Sequence, residues 1–370
     1  MAGQHGEGTP VSNLLIESVQ TVTPFKETDP RQRRQVLVTD PVGSGIFRRC
    51  FNILLYYKKV VEDESGWIVA GWMKESIARA LVHQPLLSGR LRRGEDGHAG
   101  LELVSNDSGL RLIEARIPMT LSEFLDKESR DDEPELVFWK DIDEQNPQFS
   151  PLFYVQVTNF EFGGYSIGMS CNILLADLLI TDNFLKKWVN IHNEMLSKAD
   201  DAIETPIFYL PTLKKTSGSP SIPIIRSDQT KNCGKTMIFK ITDENINLEN
   251  ESGKTLMLVC VKETENEVGS KLASKYPVFL KEPFNTIKIE TCSRLENEMV
   301  PWELDVRSQV RGESWDDLGA NEIVIHKGNK PTRVSYWMGS VMDGIVMALT
   351  STEGEEANSG PNIIVSVPWN

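Results

Sequence analysis

Cysteine is sparse in this chain and never falls at metal-binding spacing. The five residues Cys50, Cys171, Cys233, Cys260 and Cys292 are scattered, odd in number and form no CxxC pair. That pattern excludes a disulfide framework and a zinc site of ordinary ligand spacing, and a reducing compartment is expected. Positive charge is also short: 39 Lys and Arg face 53 Asp and Glu, for a formal net charge of -14. A protein that binds by neutralising phosphates needs clustered cations, so nucleic acid is excluded as a partner. No apolar run is long enough to span a bilayer, and the opening MAGQHGEGTPVSN lacks the apolar core of a signal peptide. A cytoplasmic protein without a transmembrane segment is the expectation. Neither a GxSxG elbow, a P-loop nor a GxGxxG follows any expected strand, which leaves hydrolase, NTPase and dinucleotide readings without a motif.

What is present is length and alternating pattern. With 370 residues and 40% hydrophobic content, the chain can bury two cores of ordinary size. Between Gly66 and Leu91 the apolar positions recur at helical spacing and stop at HQPLLSGRLRR, which reads as a helix leading into a buried turn. The next stretch, GHAGLELVSNDSGLRLIEARI, has two alternating runs split by Asn106, Asp107 and Gly109 and reads as a β-hairpin. In PLFYVQVTNFEFGGYSIGMSCNILLAD, Phe153, Val155 and Val157 share one strand face. A Gly163-Gly164 turn follows, and Tyr165, Ile167, Met169 and Cys171 share a face of the return strand. Ile180, Phe184, Trp188, Ile191 and Met195 then form one apolar helix stripe.

Residues 200–234 turn to Pro, Ser, Lys and Asp without periodicity, so the inter-domain linker is expected there, with one domain over 1–199 and a second over 235–370. The second half reads as strands at Lys235–Ile241, Thr255–Val261, Thr286–Glu290, Val334–Met338 and Ile363–Val367, with a helix around Glu263–Tyr276. An α/β class with two sheet-containing halves follows.

In order and spacing, HQPLLSGRLRR, FSPLFYVQVTNFEFGG, DNFLKKW and SWDDLGANEIVIHKGNKPTRVSYW resemble the conserved segments of the plant BAHD acyltransferases, over nearly the whole chain. The resemblance implies a two-domain, chloramphenicol acetyltransferase-like fold, each domain a mixed sheet with flanking helices. It also implies acyl-CoA as ligand or substrate, no covalently bound cofactor, no metal and a monomer. In that family the loop after the hairpin reads HxxxDG, and its histidine takes the proton from the acceptor while the acceptor attacks the acyl-CoA thioester. Here the loop reads Ile173-Leu174-Leu175-Ala176-Asp177-Leu178, so the histidine position is Ile173, the aspartate remains as Asp177, and the glycine position is Leu178. Isoleucine cannot accept a proton. The family's second motif, DFGWG, is replaced by Ile325-His326-Lys327-Gly328-Asn329 before Lys330-Pro331. Asp177, Gly328, Lys330 and Pro331 are therefore expected in structural roles, Asp177 buried in an ion pair.

The other histidines are His5, His83, His98, His192 and His326, and of these only His326 lies in a segment that approaches the family's active site. It is the one weak candidate for a replacement base; an ordinary loop histidine is the plainer reading. Cys171, two positions before Ile173, reads as a small buried thiol. Similar erosion marks the family's ECERIFERUM 2 and 26 subgroup, where GLSW-like text resembles GMSC here. Its members act with fatty acid elongase condensing enzymes to extend very-long-chain acyl-CoAs for cuticular wax. The resemblance thus implies an accessory factor, recruited to the ER membrane by its partner. A working O- or N-acyltransferase with another base, or a BAHD-derived enzyme repurposed for a different reaction, are the alternatives.

Overall fold

The computed structural model describes residues 14–368 except 61–63, 95–99, 128, 201–232, 244–245, 283–284, 294–306, 316–318, 327 and 351–359. Most of the expected linker lies outside the described residues, as do His5, His98 and Lys327. In the first half the elements run β1 (Leu15–Val22), β2 (Arg33–Val38), β3 (Cys50–Tyr57), α1 (Gly66–Ala80), β4 (Arg90–Arg93), β5 (Leu101–Val104), β6 (Leu110–Thr120) and α2 (Leu121–Leu125). They continue with β7 (Phe153–Glu161), β8 (Tyr165–Asn172), α3 (Ala176–Ile180) and α4 (Phe184–Asp200). After these come β9 (Gly234–Ile241), α5 (Glu251–Val268), β10 (Lys275–Glu282), β11 (Thr286–Ser293), β12 (Val310–Glu313), β13 (Arg333–Gly339), β14 (Ile345–Leu349) and β15 (Asn362–Pro368).

The protein is α/β, built on a mixed sheet in the order β1-β6-β7-β8-β3-β13-β9-β15-β14-β10-β11-β2-β5-β4, with β12 on β9. Strand exchange ties the halves together: β13 pairs with β3 over Arg333 to Gly339, and β2 lies parallel to β11. One face of β7, β8 and β3 packs on α1 and α4, burying Phe153, Val157, Ile167, Met169, Met73 and Trp188 in one core. The expected hairpin is there, antiparallel from Phe153↔Cys171 to Asn159↔Tyr165. Its other face is closed by residues 133–139, where Gln156 Nε2 donates to the Glu135 carbonyl at 3.1 Å. A Cβ at Gly168 would clash with the Leu136 carbonyl oxygen. Backbone cannot yield as a flexible side chain does, so Gly168→Ala should destabilise the fold by about 1–3 kcal/mol, read as a lower urea midpoint.

Three expectations are corrected. The runs at Leu101–Val104 and Leu110–Thr120 are strands but not a hairpin: β5 pairs with β4 and β2, and β6 with β1 and β7. The intervening loop turns through Asp107 at φ 56° and Gly109 at φ 77°, and Arg90 Nη1 donates to the Gly109 carbonyl at 2.9 Å, so the chain is carried from one end of the sheet to the other. Thr255–Val261 is the middle of helix α5, not a strand. Asn250 caps it by accepting from Gly253 N at 2.9 Å, and Leu256 and Cys260, one turn apart, pack beneath Phe239, Val278 and Val365. The helix therefore starts at Glu251 and ends at Val268 against left-handed Gly269, and Tyr276 belongs to β10.

Candidate functional site

Strand β8 delivers the chain into a tight turn, Ile173–Leu175, and then into α3. Asn172 builds the turn: its Oδ1 accepts from Leu174 N at 3.1 Å and its Nδ2 donates to the Ile46 carbonyl at 2.7 Å. Ile173 is 2% exposed and belongs to the same core as Leu174, Leu175 and Ala176. Its N–H donates to the Arg49 carbonyl at 3.2 Å, so both backbone and side chain are committed to packing.

Four residues on, Asp177 is the anion of a buried cluster. Arg34 of β2 grips it in bidentate fashion, Nη1 to Oδ1 at 2.6 Å and Nη2 to Oδ2 at 2.8 Å. Lys281 of β10 donates to Oδ2 at 2.7 Å. Relative exposures are 0% for Arg34 and 2% for each of Asp177 and Lys281, so solvent hardly screens these contacts. Burial pushes the carboxyl up, but the Arg34 and Lys281 charges with their hydrogen bonds prevail and hold it below its ordinary value. Arg34 also donates from Nη1 to the Leu174 carbonyl at 2.8 Å and from Nε to Asn285 Oδ1 at 2.7 Å. The guanidinium thus fastens the 173–177 turn to β2 and to the segment after β10. Sequence reading expected Asp177 to be paired but did not find its partners. A lysine inside the apolar run Tyr276–Lys281 was the available signal, because a charge there has to meet another.

The segment before β13 is braced elsewhere. Ile325 presents its carbonyl to His192 Nε2 at 2.7 Å, and Asn329 donates from Nδ2 to the Lys58 carbonyl at 2.8 Å and to Glu64 Oε1 at 2.7 Å. Gly328, at φ 80°, makes the turn that returns Asn329 N to the His326 carbonyl at 2.6 Å. Lys330 pairs with Glu322, followed by Pro331 at the entry to β13. His326 thus sits in a turn held to α4 and to the β3–α1 connection through its neighbours. Cys171 is fully buried, and burial pushes its thiol well above the ordinary range, which makes it a packing residue. Among the described residues no group of three His, Cys, Asp or Glu could hold a metal ion.

A model of the Transferase family, the BAHD acyltransferases, matches residues 15–282. The chain belongs to that family. Relatives of this BAHD chain include Protein ECERIFERUM 2 of Arabidopsis thaliana, 26% identical over 188 residues, which are 49% of this chain and 42% of that protein. Protein ECERIFERUM 26-like of Arabidopsis thaliana is 33% identical over 104 residues, 28% of this chain and 24% of that protein. The hydroxycinnamoyltransferase of Narcissus pseudonarcissus is 27% identical over 215 residues, 52% of this chain and 47% of that protein. The matched stretch spans less than half the length of each of these curated relatives. Among solved structures, that of vinorine synthase matches with a TM-score of 0.47 and 13% identity, covering 96% of this chain and 94% of that one.

One further constellation in the BAHD chain escaped sequence reading. His192, 1% exposed on α4, closes a chain of hydrogen bonds: Trp188 Nε1 donates to Ser76 Oγ at 2.9 Å, and Ser76 Oγ lies 2.9 Å from His192 Nδ1. Because Nε2 faces a carbonyl, it carries the proton; Nδ1 is then the acceptor and Ser76 the donor. Burial above all, opposed by the hydrogen bond to the Ile325 carbonyl and aided by nearby His326, lowers this histidine to a pKa of about 4. Serine and histidine side by side suggest a nucleophile and its base. At 0% and 1% exposure they brace α1 against α4 and the Ile325 segment.

Proposed function

We propose that this chain is a BAHD-like protein without general-base catalysis, an accessory factor or acyl-CoA binder in very-long-chain fatty acid elongation and cuticular wax synthesis. The observation that carries this reading is Ile173. It occupies the place of the family's histidine, and its surroundings are those of a core residue at 2% exposure; the adjacent polar side chain, Asn172, is an amide that cannot act as a base and is already bonded to Leu174 N and the Ile46 carbonyl. Asp177 keeps the motif's remaining position, and it is a doubly paired anion committed to two cations. General-base assistance is worth roughly two to four orders of magnitude in rate, so a chain without it retains at most slow turnover from orientation. The likeness to the ECERIFERUM proteins supports a role beside a fatty acid elongase condensing enzyme, with a cytoplasmic chain drawn to the ER membrane by that partner. No helix among the described residues is long and apolar enough to cross a membrane itself.

A second reading has one observation in its favour: the match to a hydroxycinnamoyltransferase covers 52% of this chain, slightly more than the match to ECERIFERUM 2. On that reading the chain is an acyl-CoA-dependent O- or N-acyltransferase with another base. Release of free CoA separates the two. The purified protein is expected to stay at background with acetyl-, malonyl-, benzoyl-, coumaroyl- and long-chain acyl-CoAs and pooled alcohol and amine acceptors. Turnover at ordinary enzyme rates would overturn the accessory reading. Activity confined to an Ile173→His variant would mean that substrate binding survives and only the base is gone.

A further inference from the structure

At the end of β8 opposite Ile173, roughly 25 Å away along the strand, the β7–β8 turn borders a partly open cavity of about 550 Å³. Its walls are apolar, from Leu15, Trp67, Ile117, Phe160 and Phe162. Phe162 is 90% exposed and held at φ 59°, a left-handed conformation that a bulky side chain rarely adopts. A strained aromatic in water gains nothing from this chain's own packing, which points to a molecule that covers it. The polar lining is Lys59, Glu64, Ser65, Arg116, Asn159 and Glu161. Lys59, whose stem lies against Gly163, has no ion-pair partner among the described residues. Arg116 is paired through Nε with Glu17 at 3.1 Å. Asn159, 4% exposed, lines the cavity, and its amide makes one long bond, from Nδ2 to the Ala115 carbonyl at 3.5 Å. Of the two lining carboxylates, Glu64 is occupied by Val60 N, Tyr165 and Asn329, while Glu161 is exposed at the rim.

We propose that this cavity binds an amphipathic carboxylate, its apolar body against Trp67, Ile117, Phe160 and Phe162 and its carboxylate at Lys59, with Arg116 beside it and the Asn159 amide as hydrogen-bond partner. The volume suits a small ligand of this kind, and an apolar pocket with a few convergent polar groups is the usual form of such sites. The cations select an acid over the corresponding alcohol. The site is separate from the 173–177 turn, so it stands or falls independently of the reading of Ile173.

Calorimetric titration of the full chain with decanoate and with decanol tests it. Decanoate should bind, with decanol weaker by about tenfold, the worth of one charge-assisted hydrogen bond. Lys59→Met should erase that preference, Phe162→Ala should weaken both ligands, and Glu161→Gln should tighten decanoate by removing a like charge. All three positions are at the surface, and an unchanged melting temperature confirms that the variants are folded. Failure of decanoate to bind, equal binding of the two ligands, or binding that neither Lys59→Met nor Phe162→Ala alters would overturn the proposal.

Discussion

Asp177→Asn should destabilise the protein by about 3–5 kcal/mol, the range expected when one member of a buried ion pair is removed and its partner is left uncompensated. The substitution keeps the shape of the side chain and deletes only the charge. What remains is Arg34 at 0% exposure and Lys281 at 2%, both aimed at a neutral amide. Because the cluster joins β2, the turn after β8 and β10, the loss should appear as a lower urea midpoint for the whole fold rather than as local fraying. Adding Lys281→Met removes one stranded cation and should return part of the stability, which a general intolerance of the site would not do. The pH dependence follows from the same cluster. Asp177 is held below its ordinary value in the folded state, so its stabilisation is present above the unfolded carboxyl's pKa of about 3.9 and fades as pH falls through the lower folded value. Asp177→Asn should be least costly in that acid range. A midpoint that does not move at neutral pH would mean that the cluster contributes nothing to stability.

The same cluster marks where the sequence stops being legible. The 153–172 hairpin could be read because Phe153, Val155 and Val157 alternate in its first strand, its return strand alternates throughout, and two glycines at φ 106° and 85° mark the turn between them. Everything that fixes it is local. The pairing of Asp177 was expected in kind, yet Arg34 stands 143 residues away and Lys281 104; a lysine in an apolar run marks a charge that must be met, but at such distances a single sequence does not say by which carboxylate. Non-local pairing also undid the hairpin expected at 101–117. Two adjacent alternating runs look like mates, and only the sheet order reveals that β5 and β6 lie at opposite ends. At 255–261 the text TLMLVCV is apolar and rich in β-branched residues, which short windows cannot tell from a buried helix. The deciding signals were outside that window, in the Asn250 cap and Gly269. For the candidate site, the expectation at Ile173 rested on one residue type. The packing that makes it a core position required the fold.

His192 should make the protein acid-labile between about pH 6.5 and pH 4. An unfolded histidine takes up a proton near pH 6.5, whereas in the fold this one does so only near 4, lowered first by burial and then by the neighbouring His326. Across that interval the unfolded state binds a proton that the folded state refuses, so stability falls as pH falls, levels out above the upper limit and is fully lost below the lower one. A difference of this size corresponds to roughly 3 kcal/mol. Its origin is geometric: protonation would require Nδ1 to donate to Ser76 Oγ, which already accepts from Trp188 Nε1 and would have to redirect its own proton to the Met73 carbonyl 3.2 Å away. Other carboxylates titrate in the same region, so the test is a comparison. In His192→Gln the amide can still offer an acceptor to Ser76 and a donor to the Ile325 carbonyl without titrating, and its stability should decline less steeply with acid. Parallel stability curves for the two proteins from pH 7 to pH 4 would show that His192 is protonated as readily in the fold as out of it, and would remove the hydrogen-bonded chain as the link between α1, α4 and the segment before β13.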